Sequence, residues 1–433
     1  SIFSWMSQFF IVLLFLLFIA LLGYCLYVKY VHLKYDHIPG PPRDSFLFGH
    51  SSTLVEIMKR NGVVHDKFLE WTEIYGPAYR INLLHYVMVF VACPETTKEM
   101  LMSPKYTKDK FLRDKIANLF GQRFLGDGLV TIRDHDKWYK QRRIMDPAFS
   151  SLYLRGLMGN FNETAEKLMD KLSEIADNKT TANMLRLVNS VTMEIIEMFH
   201  ANTQYTETVL KPKSTVLLSH TNIPEEIMTQ EDEEFMLDNF VTFFIAGQET
   251  TANQLGFCIM ELARHPEILK RARKEVDEVI GMKQDISYDD LGHLGYLSQV
   301  LKETLRIYPT APGTSRDLVE DMVIGGVHVP KGVICIFSSY TMGRMEKFFK
   351  DPLKFDPDRF HPDAPKPYYC YFPFALGPRS CLGQNFAQME AKVVMAKLIQ
   401  RFDFTLPGQS FDILDNGTLR PKSGVVCSIR HRS

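Results

Sequence analysis

The stretch Phe374-Ala375-Leu376-Gly377-Pro378-Arg379-Ser380-Cys381-Leu382-Gly383 decides how the rest of the chain is interpreted. Its cysteine lies between two glycines and precedes a segment with helical spacing at about 384–401. Glycines allow a backbone to approach a flat group closely, and we expect the helix N-terminus and the loop amides to lower the pKa of the thiol. Two readings stay open on these residues alone, a thiolate ligand of a metal cofactor and a buried free cysteine in a glycine-rich turn.

Length and composition indicate an ordinary globular protein. The chain has 433 residues, of which 45% are hydrophobic and 23% are charged, so it is either about three domains or one large enzyme domain. The formal net charge of −1 does not favour nucleic-acid binding as the main activity. Seven scattered cysteines do not form a disulfide framework, which favours a reducing compartment.

The N-terminal segment is predicted to be a membrane anchor. The run from Phe9 to Val28 is almost wholly apolar, and a helix of that length spans about 30 Å, the thickness of the hydrocarbon core of a bilayer. A cleaved signal peptide would have a shorter apolar region after a basic stretch. Lys29, Lys34 and Arg43 follow the run, so the positive-inside rule places the bulk of the chain in the cytosol.

Three regions follow from this pattern. We predict an anchor at residues 1–28, a proline-rich linker at 29–43 and a catalytic domain at 44–433. The linker contains Ile38-Pro39-Gly40-Pro41-Pro42, and because proline fixes φ and removes a backbone donor, the segment is expected to be stiff and extended.

The globular part is predicted to be mainly helical with small β-sheets. No Rossmann glycine motif and no phosphate-binding loop is present, so electrons for redox chemistry must come from another protein. The predicted elements are helices at 52–75, 94–102, 133–145, 161–176, 183–199, 233–264, 296–307 and 384–401, a hairpin at 79–92 around Leu84-His85, and strand at 323–337.

The cysteine stretch fills every fixed position of the pattern F-x-x-G-x-R-x-C-x-G and resembles the haem-thiolate signature of the cytochrome P450 family. The resemblance implies the fold of that family, haem b as cofactor and Cys381 as the ligand of its iron. A thiolate on haem iron favours O–O bond cleavage. The further residues that the resemblance implies for cofactor binding are Phe374, Arg379, Gly383, Trp138, Arg142 and Arg316.

Two other motifs match the same family. Glu303 and Arg306 lie one helical turn apart, and with Arg359 they resemble a Glu–Arg–Arg network that stabilises the fold behind the cysteine loop. Glu249-Thr250, midway along the long helix, resembles the acid–alcohol pair of the family. The resemblance implies that Thr250 hydrogen-bonds bound oxygen or a water while Glu249 relays protons.

Within the family, the segments 237–247, 296–303 and 385–397 are similar to those of microsomal cholesterol 24-hydroxylases. This resemblance implies a steroid hydroxylase that inserts one oxygen atom of O2 into the side chain of cholesterol, in the endoplasmic reticulum membrane. Its electrons would come from NADPH through NADPH–cytochrome P450 reductase. A basic docking surface for that acidic partner is expected if two helices meet, its residues being Lys140, Arg142, Arg143, Lys392, Lys397 and Arg401.

One region departs from the family pattern. Only about 30 residues, 201–232, separate two predicted helices where the family places two long helices over the substrate. The shortened region leaves two alternatives open. One is a monooxygenase for another lipid, such as a fatty acid or a retinoid, and the other is a haem-binding variant with impaired catalysis.

Overall fold

The computed structural model describes residues 2–119, 122–202, 230–408 and 410–433. Most of the shortened region predicted at 201–232 lies outside the described residues. The helices are α1 Ile2–Tyr35, α2 Ser51–Lys59, α3 Val64–Tyr75, α4 Pro94–Leu101, α5 Lys110–Ala117, α6 His135–Met145, α7 Ser151–Gly156, α8 Met158–Glu174, α9 Met184–Asn202, α10 Gln230–Arg264, α11 Pro266–Val279, α12 Tyr288–His293, α13 Gly295–Ile307, α14 Ser339–Gly343 and α15 Gln384–Arg401.

The strands are short and lie between the helices. They are β1 Ala78–Leu83, β2 Tyr86–Val91, β3 Asn118–Leu119, β4 Gln122–Arg123, β5 Asp177–Asn183, β6 Gly313–Asp317, β7 Met322–Ile324, β8 Val327–Val329, β9 Ile334–Ser338, β10 Phe402–Thr405, β11 Ile413–Asp415, β12 Leu419–Pro421 and β13 Val426–His431. The prediction of a mainly helical chain with small sheets is therefore confirmed.

The helix α10 runs through the main hydrophobic core. Its C-terminal half is buried, with Leu255, Phe257 and Cys258 fully shielded from solvent, and it packs against α9, α13 and α15. The helix continues without a break past Gly247 and Thr250, because tertiary packing outweighs the weak helix propensity of these residues. The predicted long helix at 233–264 is confirmed.

The largest sheet has the strand order β1-β2-β9-β6. Strands β1 and β2 form the predicted hairpin, in which Ala78 pairs with Val91 and Leu83 pairs with Tyr86. Strand β9 pairs in parallel with β2 and antiparallel with β6. Burial on both faces explains its continuous apolar sequence. Strand β6 carries Arg316 into the interior.

The structure differs from the sequence prediction in several elements, including the helix α11, which was not predicted. The helical stretch at 52–75 is two helices, α2 and α3, with residues 60–63 between them. Strand β5, which the sequence analysis did not predict, pairs antiparallel with β13 near the end of the chain, where Asn183 faces Val426. Its pairing partner is remote in sequence, so no local pattern could reveal it.

The N-terminal helix extends beyond the predicted anchor. Residues 29–35 are helical rather than part of an extended linker, because the last turns of α1 bury Val31 and Tyr35 against the β-sheet region. The Tyr35 hydroxyl donates a hydrogen bond to the Lys331 carbonyl at 2.7 Å. The preceding part of α1 is exposed, with a mean hydropathy of 3.0 over its most apolar window, and by length and composition it could cross a membrane.

Candidate functional site

The cysteine loop is a tight turn that precedes α15. Residues Gly377–Arg379 form one turn of 3-10 helix, and the Cys381 N–H donates a hydrogen bond to the Phe374 carbonyl at 2.8 Å. Gly377 has φ +69°, and a Cβ built at this position would lie 2.2 Å from the Leu101 carbonyl oxygen. Both the turn and the close packing on α4 therefore require glycine there.

Replacing Gly377 by alanine is expected to lower the free energy of unfolding by about 2 kcal/mol or more, since a left-handed backbone and a steric overlap add together. Urea denaturation followed by circular dichroism measures the change. Gly156→Ala is the matched control, because nothing lies within 4 Å of a Cβ at Gly156. Equal stabilities of the two variants would show that the loop relaxes and that the glycine is dispensable.

The Cys381 side chain faces a cavity, which is also lined by Phe374 and Gly383. Burial by the surrounding protein raises the pKa of the Cys381 thiol, although the Gly383 N–H and the charge of Arg142 act in the opposite direction. The loop amide therefore acts on the thiol pKa in the predicted direction, but desolvation has the larger effect. Coordination to a metal ion deprotonates a thiol outright.

The helix α6 places Trp138 and Arg142 beside this loop. The helix begins after Asp134, whose side chain accepts a hydrogen bond from the Lys137 N–H at 2.8 Å. Arg142 donates to the Ser380 carbonyl at 2.9 Å, so it ties α6 to the cysteine loop. The Trp138 ring is buried and lies 4.9 Å from the guanidinium carbon of Arg379. Both Trp138 and Arg142 line the cavity.

A cationic group of one buried and two partly buried side chains adjoins the same cavity. It consists of Arg316, Arg379 and Lys108, the last of which the sequence analysis missed. Burial lowers the pKa of Arg379 to about 9 and that of Arg316 to about 10, and the charges of Arg316 and Arg142 add to the shift at Arg379. The pKa of Lys108 is well below its usual value because of burial and then the two arginine charges.

This cationic group has little internal compensation. The Arg316 Nη2 atom has no hydrogen-bond partner, and Arg379 donates to the carbonyls of Leu129 and Ile132. Within the described ranges, neither arginine forms an ion pair with a carboxylate. Buried charges without partners are costly, so the arrangement fits a ligand that brings carboxylates. The residues present therefore fit haem, whose propionates would lie against Arg316, Arg379 and Lys108.

The central part of α10 lines the same cavity as the cysteine loop. Thr250 lines the cavity, and its hydroxyl donates a hydrogen bond to the Ala246 carbonyl at 2.7 Å. The Glu249 carboxylate accepts a hydrogen bond from the Thr418 hydroxyl at 2.7 Å, outside the cavity lining. The structure thus brings Thr250 to the site and turns the Glu249 side chain towards another element.

The remaining walls of the cavity are mostly apolar. Their apolar residues include Ile196, Phe199, Phe243, Leu305 and Ala311, and threonines such as Thr242 and Thr310 lie between them. The cavity has a volume of about 330 Å³, within the usual range for small-molecule sites.

The predicted network behind the loop is fully buried at its centre. Arg306 donates to both carboxylate oxygens of Glu303, at 2.8 and 2.7 Å, and Arg359 donates to Glu303 at 3.1 Å. Arg306 also donates to the carbonyls of Gly343, Pro352 and Lys354. The structure brings the three predicted residues together, and they fasten the segment that precedes the cysteine loop.

Part of the expected basic docking surface is not available. The Lys397 side chain has no exposed area and pairs with Glu166, while Arg401 pairs with the same carboxylate. Sequence alone gives the charge of these residues, whereas the packing of α15 against α8 decides that they form a structural ion pair.

The sequence is similar to those of known proteins over most of its length. The family profile described as "Cytochrome P450" matches residues 39–223 and 214–428. "Cytochrome P450 4d2" of Drosophila melanogaster is 27% identical over 444 residues, which cover 83% of this chain and 87% of that protein. "Cytochrome P450 4F12" of Homo sapiens is 25% identical and covers 84% of each chain. "Leukotriene-B4 omega-hydroxylase 3" of Mus musculus is 26% identical over 88% of this chain and 86% of its own length.

Proposed function

Because this chain belongs to the cytochrome P450 family, in which it is a monooxygenase, we propose that it hydroxylates the aliphatic part of a membrane lipid, with a fatty acid as the leading substrate class. The observation that carries the proposal is a largely apolar cavity that both Cys381 and Thr250 line. Relatives of similar length include a leukotriene-B4 omega-hydroxylase, and leukotriene B4 is an oxygenated fatty acid.

The residues of the site have different proposed roles in binding the cofactor. Haem bound through Cys381 supplies the activation of O2 for insertion of one oxygen atom into a C–H bond. Arg316, Arg379 and Lys108 would hold its carboxylates, with Trp138 and Arg142 lining the same cavity. Phe374 and Gly383 leave room for the flat ring beside the thiolate. These assignments rest on the burial and hydrogen bonding described above.

The protein's own proton path is proposed to pass through Thr250. Its hydroxyl faces the cavity and can both donate and accept a hydrogen bond. Glu249, the adjacent residue, lies outside the cavity lining and is proposed to supply protons to this hydroxyl from there. Apolar side chains such as Ile196 and Phe243 exclude water from the substrate, which limits loss of reducing equivalents to side reactions.

The electrons are proposed to come from NADPH through a reductase in the endoplasmic reticulum membrane. The exposed apolar part of α1 and the membrane-soluble substrate class support this location. A membrane anchor raises the local concentration of a lipid substrate and of an anchored partner.

Cholesterol side-chain 24-hydroxylation is the second candidate. It is supported by the similarity of the segments 237–247, 296–303 and 385–397 to sterol hydroxylases, of which the first includes the cavity residue Phe243. A sterol is rigid and broad whereas a fatty acid is narrow and flexible, so the two substrates demand different pocket shapes.

Reconstitution with NADPH–cytochrome P450 reductase distinguishes these candidates. We expect a long-chain fatty acid to be hydroxylated faster than cholesterol, with products identified by mass spectrometry and binding followed by a spectral titration. Faster turnover of cholesterol would replace the leading substrate class by the second. NADPH consumption without either product would favour the impaired variant that the shortened region suggests.

A further inference from the structure

The turn between β11 and β12 lies against α10 beside the candidate site. Strand pairing joins Asp415 to Leu419, and Gly417 at φ +99° makes the turn. The Thr418 hydroxyl donates its hydrogen bond to the Glu249 carboxylate. The Leu419 N–H donates to the Thr310 carbonyl at 3.0 Å, and Thr310 lines the cavity. The hairpin is therefore hydrogen-bonded to α10 at Glu249 and to the cavity wall at Thr310.

The geometry of α10 explains why Glu249 contacts Thr418 rather than the cavity. Successive residues of an α-helix project about 100° apart, so Glu249 and Thr250 cannot point in the same direction. Thr250 faces the cavity, and Glu249 faces the hairpin. A glutamate has three rotatable side-chain bonds and loses rotamer freedom when it is held, so an external contact is needed to keep its carboxylate near the helix.

We propose that Thr418 is a positioning residue for proton delivery: its hydroxyl holds the Glu249 carboxylate at the edge of the site, from where it passes protons towards Thr250. The inference rests on the proposed monooxygenase function and adds a residue to it. The proton given to the Thr250 side is replaced from solvent at Glu249, so that the carboxylate returns to its starting state. Thr418 itself gains and loses no proton in this exchange.

The hydrogen bond and the packing of Thr418 can be separated by two substitutions. Thr418→Val retains the shape of the side chain and removes the hydroxyl, whereas Thr418→Ser retains the hydroxyl and removes a methyl group. If the hydrogen bond is the important feature, the valine variant fails and the serine variant is close to the native protein. If packing is the important feature, the order is reversed.

The measured quantity is the amount of peroxide released per molecule of hydroxylated product. It is measured with the haem-loaded full chain, the reductase and a long-chain fatty acid as substrate. We expect Thr418→Val to raise this ratio about 2- to 10-fold, the change that one hydrogen bond can produce, and to enlarge the solvent deuterium isotope effect. Thr418→Ser is expected to restore both values. Thr250→Ala serves as the positive control, and Arg420→Ala, an exposed residue on the same hairpin, as the neutral one.

A second readout does not depend on turnover. The thermal midpoints of Thr418→Val, Glu249→Gln and the double variant form a mutant cycle, and non-additive shifts are expected because the two side chains share one bond. Additive shifts, or a peroxide ratio that changes in the serine variant and stays unchanged in the valine variant, would overturn the proposal. A native protein that consumes no NADPH would instead contradict the proposed function, whatever the cycle shows.

Discussion

Replacing Cys381 by serine is expected to abolish the thiolate-type red-shifted Soret band of the reduced carbon-monoxide complex, together with hydroxylation. A serine hydroxyl is a far weaker donor to iron than a thiolate, and the electron donation that favours O–O cleavage is lost with it. This is the largest effect that we predict for any single substitution. The measurement is the reduced carbon-monoxide difference spectrum of the purified full-length variant.

The control for this experiment is Cys93→Ser. Cys93 lies at the N-cap of α4, away from the cavity, and serine is a favourable residue at that position. We expect this variant to retain the red-shifted band at native intensity. Persistence of the band in Cys381→Ser would show that the thiolate ligand is a different residue.

Replacing Arg306 by methionine is expected to have the second largest effect, a loss of about 3–5 kcal/mol of stability, because it leaves the buried Glu303 carboxylate without its main partner. Three backbone carbonyls that accept from Arg306 lose their donor at the same time. The loss is a large fraction of the roughly 5–15 kcal/mol by which domains are usually stable, so the yield of folded protein should fall.

Denaturant unfolding of the purified protein, and the yield of folded protein in expression, measure this effect. The matched control is Arg271→Met, since Arg271 pairs with Asp358 at 2.9 Å on the surface with about half of each side chain exposed. Exposed ion pairs contribute about 0–1 kcal/mol, so this variant should remain folded. Similar stabilities of the two variants would contradict the structural role of the network.

Much of the candidate site was predictable because its signals are local. The cysteine loop, the Trp138–Arg142 pair and the Glu303–Arg306 pair each occupy a few consecutive residues or one helical turn. Lys108 was not predictable, since a single lysine in a polar stretch carries no signal until the fold buries it beside Arg316 and Arg379. The direction of the Glu249 side chain was equally hidden, because its partner Thr418 lies 169 residues away in the sequence.

The substrate class could not be predicted from short sequence segments. Short segments such as 237–247 predict a sterol hydroxylase, whereas the relatives matched over most of the chain include a leukotriene-B4 omega-hydroxylase and do not support that finer prediction. Haem-proximal segments serve a chemistry that is common to the family. Substrate preference depends on the shape of the whole cavity, which many remote residues form together.

The sequence by itself determined the family, the cofactor and the main helices of this protein, because motif spacing and the hydrophobic period act over a few residues. Only the tertiary structure decided that α1 extends to Tyr35, that β5 joins the C-terminal sheet and that Lys397 is a buried ion-pair partner. It also decided that burial raises the pKa of Cys381. Burial and desolvation arise from groups brought together across the whole chain, and they set the final state of a side chain whose chemical type the sequence already specifies.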